Sequence, residues 1–220
     1  IASASEGGTN LFPMMYFDTP AFLSQSPQLY KQLAVLGGME RVFEIGPAFR
    51  AENHDTYRHL NEFISFDIEA AWMTDEDVMG VQERMIHHIW KCVAENDQGQ
   101  IDIINAYRES QELEPIAVEV PSLPFPRIDY CDAIQMIQDA GEEIQWGDDI
   151  DSSHCDIIAA KYPGFHFLPR WPMEMKPFYI HHVKGENGVT GEQLSRGFDL
   201  NYGRDEMTSG GQRELSLIHI

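Results

Sequence analysis

Basic residues are scarce in this chain: fifteen Lys and Arg stand against thirty-six Asp and Glu, for a formal net charge of −21. The long-range field of such a chain repels polyanions, which excludes a stand-alone nucleic-acid binder unless a local basic patch overrides it. Cysteine is scarce as well. Cys92, Cys131 and Cys155 are odd in number and far apart, with no Cys-x-x-Cys pair. That argues against a disulfide framework and a structural zinc site, and fits reduced thiols in a cytoplasmic protein. There is no apolar run approaching the roughly eighteen residues of a membrane span, and no basic segment leading into a short apolar stretch. The expectation is a cytosolic chain with no membrane contact. Internal repeats and low-complexity stretches are also missing. What is present is globular: 43% hydrophobic and 11% aromatic residues over 220 positions, enough for one sizeable core or a large part of a bigger domain.

The stretch from Phe49 to Glu69 reads as two strands joined by a loop. Arg50 and Glu52 close the first strand and Arg58 and His59 sit in the loop. In the second strand Phe63, Ser65, Asp67 and Glu69 alternate against Ile64, Phe66, Ile68 and Ala70. Period-two alternation puts the apolar set on one face and a row of functional groups on the other. Thr74 ahead of Asp75, Glu76 and Asp77 is a capping-box pattern. Val78, Val81, Met85, Ile89 and Val93 follow at helical spacing, predicting an amphipathic helix over 74–96 packed on the sheet. Four prolines between Pro115 and Pro126 predict an extended connection before a helical pattern from Tyr130 to Ala140. Residues from about 100 to 175 read as an insertion. Lys176 to Val183 and Arg196 to Tyr202 read as strands, and Glu206 to Arg213 follows a Gly-Arg-Asp turn.

Three clusters carry chemistry. In the hairpin, the planar donor forks of Arg50 and Arg58, with His59, could grip a polyphosphate at several points, and Phe63 could stack on a base. An ordinary Arg50–Glu52 ion pair with Phe63 in the core is the competing reading. In SQSPQLYKQ, Gln28 and Lys31 are three apart and share one face of a helix starting near Pro27. In EMTSGGQR, Glu206 and Ser209 offer hard oxygens to a cation, and Gly210 and Gly211 allow close backbone approach ahead of Arg213. The competing reading there is a Gly-rich surface turn. The pairs His87–His88 and His181–His182 read as helix-face and strand-end histidines.

Taken in order and spacing, EGGTNLF, SPQLYKQ, FRAE with RHLNEF and DIE, and EMTSGGQR closely resemble the catalytic domain of aspartyl-tRNA synthetases of the archaeal and eukaryotic-like type, a class II group. The resemblance runs from about Ala2 to Glu214. It implies an α+β fold, with an antiparallel sheet flanked by helices in two layers. It implies ATP-dependent activation of L-aspartate to aspartyl-adenylate, and transfer to the acceptor end of tRNA(Asp), with Mg2+ accompanying ATP. Residue by residue, Lys31 and Arg213 match the positions that clamp the substrate's side-chain carboxylate. Two buried cations facing neutral asparagine would lack a counter-charge, and the asparaginyl relatives have no lysine at this place, so Lys31 discriminates. Glu6 matches the glutamate that holds the α-amino group, which Asp67 also faces, and Gln28 contacts the substrate or adenylate. Arg50 matches the arginine that bridges the substrate carboxylate and the α-phosphate, which implies that it is the catalytic residue. By the same resemblance Glu52 would lie near the adenine amino group, Arg58, His59 and Leu60 would belong to the phosphate-gripping stretch, and Phe63 would stack on adenine. Glu206 and Ser209 match the magnesium ligands, with Glu206 also on ATP and Ser209 on the amino acid.

Both ends read as cut. The resemblance places an anticodon-reading β-barrel, motif 1 and motif 3 outside this sequence, leaving a partial catalytic domain over 1–214, and Leu215–Ile220, LSLIHI, reads as a non-native tail. Motif 1 builds the family's dimer interface, so a homodimer is expected of the full-length protein, while this piece alone is expected to bind little. Competing identities are a paralogue making asparagine from aspartate, an asparaginyl-tRNA synthetase, and a non-catalytic module descended from a synthetase.

Overall fold

The alternating stretch around Phe63 forms a strand in the computed structural model, which describes residues 1, 10–53, 60–187 and 193–215. Glu6, Arg58, His59 and the tail from 216 lie outside the described residues. The chain divides into two units, Ile1–Trp72 and Met73–Ile220. Antiparallel sheets and five helices among the described residues make the architecture α+β, as expected.

In the first unit, β1 (Pro13–Tyr16) and β2 (Thr19–Phe22) form a short antiparallel hairpin. Helix α1 (Gln28–Leu36) starts directly after Pro27, whose fixed φ suits a helix entrance, and ends at Gly37. β3 (Arg41–Phe49) and β4 (Glu62–Ala70) pair antiparallel along their whole length, from Arg41 opposite Ala70 to Phe49 opposite Glu62. The first strand ends at Phe49, three residues before the Glu52 close that the sequence indicates. Arg50 and Glu52 follow it, with the Glu52 amide bonded to the Arg50 carbonyl at 2.9 Å in a tight turn. The register aligns Val42 with Glu69, Glu44 with Asp67, Gly46 with Ser65 and Ala48 with Phe63. Directly opposed residues share a face, so the functional row lies on one side and Phe43, Ile45, Ile64 and Phe66 on the other, where all four are exposed.

The second unit opens with α2 (Asp75–Asn96), which has the expected capping box: Thr74 accepts from the Asp77 amide, and the Asp77 carboxylate accepts from the Thr74 amide. Its buried face differs from the expected one. Asp75, Met79, Gln82 and Glu83 are buried while Ile89 is 42% exposed. Asp75 ahead of the apolar positions and Glu83 among them hide which stripe is inside, because charges paired on the inner face look in sequence like solvated ones. α3 (Gln98–Ser110) follows, then the proline-rich extended connection, α4 (Tyr130–Asp139), α5 (Ser152–Lys161) and β5 (Phe165–Pro169). Lys176 to Val183 is not one strand: a 3-10 turn at Met173–Met175 and a further turn precede β6 (His182–Asn187). Pro177 has no amide to donate to a ladder, which delays the strand. β7 (Gln193–Ser195) pairs with β6, and β8 (Gly197–Tyr202) lies between β5 and β9 (Asp205–Gly211) in an antiparallel sheet. One face of this sheet packs Phe165, Phe167, Phe198 and Leu200 with Phe125 and Met79 of α2. The alternate residue Leu168 joins Trp171, Tyr130, Ile134, Ile137 and Ile158 in a second cluster with α4 and α5. The segment read as an insertion thus supplies much of this unit's core. All three cysteines are free, and no helix among the described residues is long and apolar enough to cross a membrane.

Candidate functional site

In the first unit α1 brings its polar face to the functional row of β4. Lys31 is 3% exposed, and its Nζ donates to Asp67 Oδ1 at 3.1 Å. One turn earlier, Gln28 Nε2 donates to Glu69 Oε2 at 2.9 Å. The three-residue spacing on the helix matches the two-residue spacing on the strand, so both pairs form from one docking of α1. Ser65 donates from its hydroxyl to Asp67 Oδ2, occupying the other carboxylate oxygen. A lysine at this burial is costly unless a carboxylate stands opposite, and Asp67 is that carboxylate.

Arg50 and Phe63 also meet: the guanidinium carbon lies 5.3 Å from the ring centroid, a cation–π distance. The Arg50 amide bonds to the Asn61 carbonyl at 2.9 Å, fixing the start of the loop. Glu52 is half-buried and Leu60 is exposed at the loop's edge. Ser65 and Glu69 belong to the alternating row without a role read from sequence; Ser65 meets Asp67 on the same strand, and Glu69 meets Gln28 of α1.

The second unit gathers a different set. β8 and β9 place Asp199 opposite Ser209 and Asn201 opposite Glu206. Asp199 is 8% exposed and takes both hydrogen bonds of Lys176 Nζ, at 2.9 and 3.2 Å, while the same ammonium lies 4.4 Å from the Trp171 ring centroid. Burial raises the Asp199 pKa against the pull of Lys176. Glu206 is exposed as a residue, but crowding of its carboxyl group by protein, then the charge of Asp199, raises its pKa; Lys176 and a hydrogen bond with Ser209 oppose the rise. Two carboxylates that each resist ionising, with a hydroxyl beside one of them, are a donor set of hard oxygens that a divalent cation would neutralise, so these residues fit Mg2+. Asp199 and Lys176 were missed from sequence. The signal available was an acid inside the otherwise apolar strand GFDL.

Arg213 lies with its guanidinium 4.9 Å over the Tyr179 ring, and Ile180 and Arg213 form an antiparallel bridge. The glycines before it have a structural reason: a Cβ on Gly210 would meet the Phe198 ring at 2.9 Å, and one on Gly211 would meet the Arg196 carbonyl oxygen at 2.9 Å. They admit β8 against β9, where the sequence pointed to close approach by a ligand.

Comparison with known proteins adds the family context. Residues 1–217 match the family described as tRNA synthetases class II (D, K and N). Among curated relatives, the aspartate–tRNA(Asp/Asn) ligase of Archaeoglobus fulgidus is 42% identical over 100% of this chain and 47% of its own length. The aspartate–tRNA(Asp) ligase of Thermococcus kodakarensis is 45% identical over 97% of this chain and 47% of its own length. The chain therefore spans about half the length of the curated relatives it matches. Among solved structures, the asparaginyl-tRNA synthetase of Pyrococcus horikoshii complexed with asparaginyl-adenylate superposes with a TM-score of 0.78 at 31% identity, over 97% of this chain and 47% of that one. The aspartyl-tRNA synthetase of Entamoeba histolytica gives 0.73 at 32% identity, over 89% and 39%.

Proposed function

This chain belongs to the class II tRNA synthetases of the D, K and N group, and from that premise we propose that it is the amino-acid-activating part of an aspartate–tRNA ligase. The observation that carries the reading is Lys31, a cation 3% exposed on a helix that aims it at the carboxylate row of β4. In this reading the side-chain carboxylate of aspartate joins Asp67 beside Lys31, a charged partner that a neutral asparagine amide does not supply. Curated relatives at 42% and 45% identity that act on aspartate support the same choice.

In this reading Lys31 binds the substrate's side-chain carboxylate, Gln28 contacts the substrate, and Glu6 and Asp67 hold its α-amino group. Arg213 and Ser209 are assigned to the amino acid as well. Arg50 faces the α-phosphate of ATP, with Glu52, Arg58, His59, Leu60 and Phe63 on the nucleotide. The substrate's α-carboxylate attacks the α-phosphorus in line and pyrophosphate leaves, so no protein nucleophile is needed. Arg50 stabilises the charge that builds on the phosphate oxygens, which makes positioning and preorganised charge the source of rate. Glu206 and Ser209 would hold Mg2+, which when bound neutralises phosphate charge. A hydroxyl of the terminal adenosine of tRNA(Asp) then takes the aspartyl group from the adenylate, and AMP leaves. A cytoplasmic homodimer is the form proposed for the full-length protein.

The test is ATP–pyrophosphate exchange by the full-length protein with aspartate and with asparagine. Wild type should prefer aspartate, and Lys31→Leu should cut that preference by at least ~10², since rejection by an unpaired buried group is lost with the group. A variant that keeps its aspartate preference would sink the assignment of Lys31. Wild-type exchange with asparagine alone would transfer the protein to the asparaginyl branch.

A further inference from the structure

Away from the residues assigned to substrate or Mg2+, His181, His182 and Glu214 converge. His181 and His182 lie at the entrance to β6, and Glu214 follows Arg213. Main-chain bonds hold both arms. The His181 amide donates to the Gln212 carbonyl at 2.8 Å, the Glu214 amide to the Tyr179 carbonyl at 2.8 Å, and the Arg196 amide to the His181 carbonyl at 2.8 Å. The Glu214 side chain is buried, 3% exposed, and its Oε2 lies 2.9 Å from His181 Nδ1 and 3.4 Å from His182 Nδ1. The ring centroids are 5.3 Å apart, and one ligand atom from each residue falls within a common 4.8 Å.

Two imidazoles directed at one buried carboxylate oxygen form a preassembled donor set. A tetrahedral ion with ligand bonds of about 2.0–2.1 Å sets its ligand atoms roughly 3.3 Å apart. The two nitrogen–oxygen separations, 2.9 and 3.4 Å, straddle that value, and all three ligand atoms lie within 4.8 Å of one another, so the set already lies near the span of one ion. Two nitrogens and one oxygen select a borderline ion over magnesium, and three protein ligands leave a fourth position for water. We propose that His181, His182 and Glu214 bind a zinc-class divalent cation. Such an ion pins the entrance of β6 to the residue after Arg213, and so clamps the segments that carry the Arg213–Tyr179 contact. The proposal stands on this geometry alone, so its failure and that of the ligase reading are independent.

The test titrates the 220-residue chain with Co2+, followed by visible absorption and then displacement with Zn2+. One Co2+ per chain should bind, with the d–d bands of a four- or five-coordinate site, and Zn2+ should displace it. His182→Asn and Glu214→Gln should each weaken binding at least ~10-fold, as even outer-shell losses at metal sites do. His88→Asn should leave it unchanged, although His88 Nε2 lies 3.5 Å from Cys92 Sγ. His182 is half-buried, so its variant carries the test if Glu214→Gln does not fold. Absence of saturable Co2+ binding, binding unaffected by His182→Asn, or binding abolished by His88→Asn would each overturn the site in favour of a plain His–Glu ion-pair cluster.

Discussion

His166 sits 1% exposed in β5, between two core phenylalanines in sequence, with its ring 5.9 Å from Tyr162. A carbonyl can only accept, so the 3.0 Å contact to the Gly164 oxygen requires that Nδ1 carry the proton. Burial holds the His166 pKa below its ordinary 6.5, and the bond to Gly164 offsets this only in part. The unfolded chain therefore binds this proton at a higher pH than the folded one. Between the depressed folded value and about 6.5, stability rises with pH and is lost as pH falls. The expected outcome is a urea midpoint that drops on acidification below about pH 6.5, and a His166→Gln variant with a shallower dependence over the same range. An unchanged slope in that variant would place the acid sensitivity elsewhere. Nothing in FHFLP marked this histidine as neutral and buried; its environment is made by residues distant in sequence. Lys31 is the contrasting case. Its type and its helix face were legible, while its near-complete burial and its Asp67 partner come from the docking of α1.

At the scale of elements, the start of α2 is a clip. Asp75 is 1% exposed and accepts from Arg170 Nη1 at 2.8 Å and from Arg196 Nη1 at 2.9 Å. Beside it, Arg127 reaches Glu76 at 3.1 Å and Glu83 at 3.0 Å. One helix terminus thus ties together the end of β5, the turn before β8 and the connection before α4. Removing the Asp75 charge takes the shared anion from both guanidinium groups and leaves Arg170 its longer contact with Glu76 at 3.5 Å. Asp75→Asn should cost about 3 kcal/mol in urea unfolding, the low end for breaking a buried pair, since both arginine heads retain some solvent. A loss under about 1 kcal/mol would show that water replaces the carboxylate. The cap itself was legible, because Thr74 and Asp77 are three residues apart and need no tertiary partner. The buried stripe was not, because Asp75 and Glu83 are inside opposite arginines contributed from elsewhere in the chain.

For the whole molecule, a net charge of −21 makes self-repulsion a global term. Salt screens it over a Debye length of about 10 Å at 0.1 M, while buried pairs such as those of Lys31 and Asp75 are screened much less. Adding NaCl should therefore raise the thermal midpoint of the chain; a fall would mean that exposed ion pairs outweigh the repulsion. Composition, the capping box, the alternation of β4 and the ordered motifs are properties of neighbours along the chain, so the sequence by itself determined the fold class, the family and the residue types at the site. Side-chain pairing between distant segments is not written in any local pattern. Only the tertiary structure decided that Lys31 meets Asp67, that Asp199 and Lys176 join Glu206, and that Glu214 closes on His181 and His182. Each of these pairs charges or polar groups whose burial is tolerable only with the partner that folding brings.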